Sequence, residues 1–157
     1  MSKMISYFEG DVRRINHALK VHNLAKSIGE LENISKDKLF ILELAAILHD
    51  IGIKESERKY NSHAGNYQEI EGPPVGRKLL EEFNLDHTLL DRICFLIGSH
   101  HTYSSIDDID FQILIEADFL VNIFEDGIKR EKLQRIREAY FKTKSGTRYL
   151  ESMYMKS

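Results

Sequence analysis

The stretch Leu44-Ala45-Ala46-Ile47-Leu48-His49-Asp50-Ile51-Gly52-Ile53-Lys54 constrains the chain more than any other. An apolar helical run delivers an imidazole and a carboxylate side by side at its end. Ionisable groups are costly to bury without partners, so partners must come from distant parts of the sequence. Ser35 can cap this helix, which continues through Leu39, Ile41, Leu42, Ala45, Ala46 and Leu48. Gly52 stands in the usual place for a glycine that ends a helix. Ala45 and Ala46 lie four before His49 and Asp50, and their small size lets a second helix or an ion approach both side chains.

The rest of the chain repeats the same three- and four-residue period. Asp11 is a plausible cap for a helix running to about Glu30, with Val12, Ile15, Ala18, Leu19, Ala25 and Ile28 on its buried face. Arg14 and His17 are neighbours on that helix, whereas His22, five after His17, points well round from it. Residues 54–72 form the least regular stretch and read as a loop. Pro73 and Pro74 then open a third helix through Val75, Leu79, Leu80 and Phe83. Asp86 opens the next, which carries Leu89, Leu90, Ile93, Phe95, Leu96 and Ile97 and ends at Gly98-Ser99-His100-His101. A loop over 104–110 leads to a helix from Asp110 to Glu125. A last amphipathic helix, from about Lys129 to Thr143, precedes a tail that Tyr149, Leu150 and Tyr154 can partly order. With no strand pattern, the expectation is an all-α chain. It forms one domain over 1–157, with a core over about 11–125 and the C-terminal helix and tail over 129–157.

Composition narrows the function. Hydrophobic residues make up 42% and charged residues 30% of 157, as in a folded globular protein. A formal charge of -3 provides no global field for nucleic acid, although a small phosphorylated ligand needs only a local basic patch. Cys94 is the sole cysteine, which rules out an intrachain disulfide or a thiolate metal cage and suits a reducing compartment. Met1 to Gly10 lacks the apolar core of a secretory leader, and Glu43 interrupts the longest apolar run, so no membrane span is expected. The expected location is the cytoplasm.

Three sequence signals carry chemistry. His49-Asp50 alone is common, and a helix-end histidine can simply complement the helix dipole; its place at the close of an apolar helix is less ordinary. Asp118 lies within Ile113-Leu114-Ile115-Glu116-Ala117-Asp118-Phe119-Leu120-Val121. Either it faces solvent beside Glu116 and Asn122, or it is buried and liganded, and Leu114 and Val121 place it at the edge of the core side. His100-His101 is either a solvated pair or a further source of ligands. Imidazoles and carboxylates without thiolates suit iron, manganese, zinc, nickel or magnesium. The His-Glu-x-x-His zinc motif, the Gly-rich phosphate loop and the Gly-x-Ser-x-Gly elbow are all missing, and Cys94 lies inside an apolar helix, a poor place for a nucleophile.

In order, these residues resemble the HD superfamily of metal-dependent phosphohydrolases: His17-Ala18-Leu19-Lys20-Val21, Leu48-His49-Asp50-Ile51-Gly52 and Glu116-Ala117-Asp118, over about Asp11 to Glu125. The resemblance implies a bundle of about six to seven helices and a metal held by His17, His49, Asp50 and Asp118. The His-x-x-x-Val form anchors the first ligand on His17 and not His22. Family members with two metals, including the HD-GYP phosphodiesterases and the mixed-valent oxygenases, carry extra histidines between the His-Asp pair and the last Asp. His100 and His101 lie in that interval. The other expected histidine is replaced here by Gln68-Glu69-Ile70-Glu71-Gly72-Pro73-Pro74, which makes Glu71 the candidate second-metal ligand, then Glu69, with His63 weaker.

The implied mechanism is attack of metal-activated water on a phosphate ester or anhydride, with Asp50 binding one ion or bridging two. The cofactor is a divalent metal, Fe, Mn, Mg, Ni, Co or Zn, as one or two ions. Arg14 and Lys54 are the expected phosphate-holding side chains, ahead of Arg77 and Lys78. The expected substrate is a small phosphorylated metabolite, with a nucleotide favoured, and nucleic acid and membrane are not expected as partners. A homodimer remains open. The alternatives are an HD-type di-iron oxygenase and a non-catalytic nucleotide-binding module.

Overall fold

The computed structural model describes residues 1–156, and the described residues form helices and turns with no strand. The helices are α1 (Ser2–Phe8), α2 (Val12–Leu31), α3 (Lys36–Leu48), α4 (Ile53–Tyr60), α5 (Gly65–Leu80), α6 (His87–Ile97), α7 (Ile109–Glu125), α8 (Leu133–Tyr140) and α9 (Lys144–Leu150). α2 packs against α3 and α7, and α6 closes on α3 and α5. Asp11, Ser35 and Asp86 cap α2, α3 and α6, each side chain accepting a backbone N–H of the first turn.

α7 is the central helix. Phe111, Ile113, Leu114, Ile115, Ala117, Leu120, Val121 and Ile123 are all buried, so apolar contact surrounds it on nearly every side. Asp118 sits inside that helix, so its carboxylate is placed by the most tightly held element of the fold. Arg92 of α6 pins the N-terminal end of α7, with Nη2 donating to Asp110 Oδ1 at 2.5 Å and Nη1 to Asp107 Oδ2 at 2.7 Å.

Three elements depart from the sequence reading. α1 was not expected: it is short, and Met4 and Phe8 are the residues it buries in the core, too few positions to establish a period. The stretch 54–72 is largely helical instead of loop. α4 has few apolar side chains to reveal it, and Ser56 is the residue it buries fully. Similarly, α5 begins at Gly65 and carries Pro73 and Pro74 in its interior instead of starting on them. The helix tolerates them against a close neighbour. A Cβ placed on Gly98 would lie 2.7 Å from Pro73 Cγ, and one on Gly72 would lie 2.7 Å from Ile97 Cγ2.

Gly52 also has a different role from the expected one. Its φ of -73° is ordinary right-handed backbone, so no left-handed turn requires glycine there. A Cβ at Gly52 would instead come within 2.5 Å of the Gln68 carbonyl oxygen and 2.6 Å of the Gly72 nitrogen. Glycine is needed because α5 passes directly over the turn that follows His49-Asp50.

The expected C-terminal helix starts late and ends at Tyr140, and the tail after it folds into a further helix, α9. The buried Glu116 carboxylate accepts hydrogen bonds from the backbone nitrogens of Lys142 at 2.7 Å and Thr143 at 2.9 Å, and from Gln112 Nε2 at 2.8 Å. Those bonds turn the chain between α8 and α9, and the Thr143 hydroxyl, itself bonded to Glu116, caps α9 through Gly146 N–H at 2.9 Å. Tyr149 and Tyr154 then tie the tail back, to Ser27 and to the Leu120 carbonyl.

Candidate metal centre

The ends of α3 and α6 present histidines in the same way. His49 Nδ1 donates to the Ala46 carbonyl at 2.8 Å, and His100 Nδ1 donates to the Ile97 carbonyl at 2.8 Å. A carbonyl only accepts, so each Nδ1 carries the proton and each Nε2 faces inward with a free lone pair when the ring is neutral. His17 of α2 is fixed by a carboxylate instead: its Nδ1 donates to Glu125 Oε2 at 2.9 Å. All three rings are almost fully buried.

These Nε2 atoms converge with two carboxylates. His17 Nε2 lies 3.2 Å from both His49 Nε2 and Asp118 Oδ1, and 3.6 Å from Asp50 Oδ2. His49 Nε2 lies 3.5 Å from Asp50 Oδ2 and 3.6 Å from Asp118 Oδ1. Donor atoms about 2.1 Å from one ion sit roughly 3 to 3.5 Å from each other, which matches these separations. Asp50 also turns Oδ1 toward His100 Nε2 at 3.3 Å. The donor atoms therefore form two overlapping triads, His17–His49–Asp50 and Asp50–His100–His101, joined at Asp50.

The polar atoms in the middle fit a cation. His100 Nε2, His101 Nε2 and Asp118 Oδ1 are buried without a hydrogen-bond partner, an arrangement that is costly unless a positive charge satisfies them. Without a metal, protons fill that role. Burial disfavours a charged His49 ring, but the neighbouring Asp50 and Asp118 carboxylates outweigh it and push the pKa up to about 9. Burial likewise opposes the shift at His17, where Asp118 raises the pKa nonetheless. Asp50 and Asp118 are held well below the usual carboxylate range: burial works against this, and the surrounding imidazoles prevail. His101 moves the other way, down to about 4, through burial and the adjacent His100.

The family model of the HD domain matches residues 14–139. The chain belongs to the HD domain family. A predicted HD superfamily hydrolase from an uncultured Thermotogales bacterium, known from a crystal structure, superposes on this HD domain with a TM-score of 0.71. It is 23% identical, over 98% of this chain and 82% of that one, a likeness of fold. No curated protein matches the chain by sequence.

Among the other candidate residues of this HD domain, the structure separates those it brings to the cluster from those it does not. Arg14 lines the cleft over His17 and Asp50. Its guanidinium is already engaged, with Nη2 on Glu57 Oε1 at 2.5 Å, Nη1 on Glu57 Oε2 at 3.1 Å and Nη1 also 3.1 Å from Asp11. His63 lines the same cleft from the α4–α5 loop. Lys54 is not brought to it: its ammonium donates to the Tyr7 carbonyl at 2.7 Å and lies over the Tyr7 ring. Helix α1, unforeseen in the sequence, is what draws it away. Glu71 is likewise committed elsewhere, accepting from Lys59 Nζ at 2.5 Å and Tyr60 Oη at 2.9 Å on the α4 side. Glu69 supports the histidine pair from outside, accepting from the His101 backbone N–H at 3.0 Å and the Thr102 hydroxyl at 2.9 Å. Arg77 pairs with Asp91 away from the cleft, and His22 pairs with Glu43.

Glu125 was missed. It lies seven residues after Asp118, two helical turns along the same face of α7, so the spacing could have revealed it once Asp118 was placed. The described helices include none long and apolar enough to cross a membrane.

Proposed function

We propose that this HD domain is a metal-dependent phosphohydrolase that releases phosphate from a small ester. The observation that carries the reading is the convergence of His17, His49, Asp50 and Asp118, with Nδ1 protons committed outward and donor atoms directed at one another. A divalent ion bound there would supply an acidified water and neutralise charge on the phosphoryl oxygens. Asp50 holds one carboxylate oxygen toward each triad, which suits two ions, the second on His100 and His101. The Ala46 and Ile97 carbonyls and Glu125 hold the imidazoles in the tautomer a metal requires. Arg14, fixed by Glu57, sets a positive charge at the rim of the cleft where an ester phosphate enters.

The test is the full chain loaded in turn with Mn, Fe, Co, Ni, Zn or Mg and assayed for phosphate release from a broad ester panel. Turnover that disappears with a chelator and in Asp50→Ala supports the reading. Tightly bound metal with no ester hydrolysed contradicts it. The shared Asp50 also fits a second reading, a di-iron oxygenase, for which oxygen consumption and a mixed-valent spectroscopic signal are the distinguishing observations.

A further inference from the structure

The cleft above the cluster, about 500 Å³, indicates what kind of ester fits, given the phosphohydrolase reading on which this rests. It opens between the start of α2, the end of α7 and the α4–α5 loop. Ile53 is the aliphatic side chain in its wall, and its only rings among the described residues are the imidazoles of His17, which belongs to the cluster, and His63 on the α4–α5 loop. A nucleobase draws its binding from stacking and apolar contact, and beyond the cluster this wall offers it one aliphatic side chain and the His63 imidazole, with no phenyl, phenol or indole ring among the described residues.

Its charges point the same way. Asp11, Glu125 and Asp126 line the cleft and repel any phosphate beyond the one at the cluster. The nearby cations are largely occupied: Arg14 by Glu57, Lys20 by Glu125 at 2.9 Å, and Lys54 by the Tyr7 carbonyl. Arg13 is left, an exposed side chain 3.9 Å from Asp126. A single phosphate has the cluster to neutralise it, whereas a di- or triphosphate chain would set Arg13 against three carboxylates.

What the wall does offer is unspent hydrogen-bonding capacity. Among the described residues the Asn122 amide makes no side-chain hydrogen bond, and Asp126 has only the 3.9 Å approach to Arg13. The two are four residues apart at the end of α7, hence neighbours on one face. Together an amide and a carboxylate both donate to and accept from hydroxyl groups. We propose that the substrate is the phosphomonoester of a small neutral polyol, such as a sugar phosphate, whose hydroxyls are held by Asn122 and Asp126 while its phosphate lies against the cluster. In the reaction water forms the new P–O bond, the ester P–O bond breaks, and the proton lost by water ends on the released polyol oxygen.

The experiment compares kcat/KM of the metal-loaded full chain on pentose and hexose phosphates, nucleoside monophosphates, ATP and p-nitrophenyl phosphate. Sugar phosphates are expected to exceed nucleoside monophosphates at least about tenfold. Asn122→Ala and Asp126→Ala should each raise KM for the sugar ester about five- to tenfold, the loss of a hydrogen bond or two, with a smaller change in kcat. Their kcat/KM on the sugar ester should fall relative to that on p-nitrophenyl phosphate, and Asp126→Asn should recover part of the loss. Preference for nucleoside monophosphates or ATP, or an unmoved ratio in both alanine variants, overturns this assignment and leaves the phosphohydrolase reading standing. Failure to hydrolyse any ester overturns that reading itself.

Discussion

Glu125→Ala isolates a contact that acts on the metal only through another residue. The Glu125 carboxylate is mostly buried and accepts from His17 Nδ1 at 2.9 Å, while its other oxygen takes the Lys20 ammonium at 2.9 Å. Burial opposes its ionisation, but Lys20 and His17 hold its pKa below the usual value, so it is charged at neutral pH. A hydrogen bond to a charged group contributes about 1.5–3 kcal/mol. Without it His17 can rotate or place its proton on Nε2, the atom that faces His49 and Asp118. At about 1.4 kcal/mol per decade, divalent-ion affinity should fall about 10- to 100-fold. Glu125→Gln keeps an acceptor and should lose less, whereas Lys20→Ala, which removes an exposed partner, should cost less than about threefold. Calorimetric titration of the chelator-stripped protein with Mn or Co reads all three. A folded Glu125→Ala protein that binds the ion within about twofold of wild type would refute the argument.

The two histidines of α2 should separate cleanly: His17→Ala loses metal by elemental analysis, and His22→Ala, which breaks only a pairing with Glu43, retains it. Glu116→Ala leaves the Lys142 and Thr143 N–H groups without their acceptor and should cost about 3 kcal/mol, a fall in Tm of roughly 6–12 °C for a chain of this size, measured by circular dichroism. Stability should fall with rising pH in the metal-free protein, and a saturating ion should offset that fall. In the stripped protein the raised His49 pKa contributes stability that is complete below its unfolded value of about 6.5 and is lost as pH climbs through about 9. Protons and metal compete for the same nitrogens, so the added stability from a saturating ion should grow over that interval. Denaturant titrations at about pH 6 and pH 9 compare the two.

His17, His49, Asp50, Asp118, His100 and His101 were legible in the sequence because each sits in, or at the end of, a long helix with an apolar face where an ionisable side chain stands out. His22 was set aside because the His-x-x-x-Val form falls on His17, and the structure places His22 beside Glu43. Lys54 and Glu71 were harder to place, since their position depends on α1 and α4, one short and the other poor in apolar residues. α1 supplies the carbonyl that holds Lys54, and α4 supplies the lysine and tyrosine that hold Glu71. Pro73 and Pro74 misled for a related reason. Proline usually opens a helix, and the packing with Gly98 that accommodates it within α5 is a long-range contact. Glu116 was read beside a solvent-facing alternative for Asp118, and Glu125 as the end of the helix; their tasks come from long-range partners, the 142–143 backbone for Glu116 and His17 with Lys20 for Glu125.

The central claim is that His17, His49, Asp50 and Asp118 enclose a metal ion. Diffraction from crystals grown with Mn or Fe, recorded at the metal absorption edge, tests it most directly. An anomalous peak is expected within about 2.0–2.3 Å of His17 Nε2, His49 Nε2 and the Asp50 and Asp118 carboxylates, with any second peak beside Asp50, His100 and His101. A metal-saturated protein whose only peak lies elsewhere, or whose four side chains keep their mutual contacts with no ion among them, would contradict it.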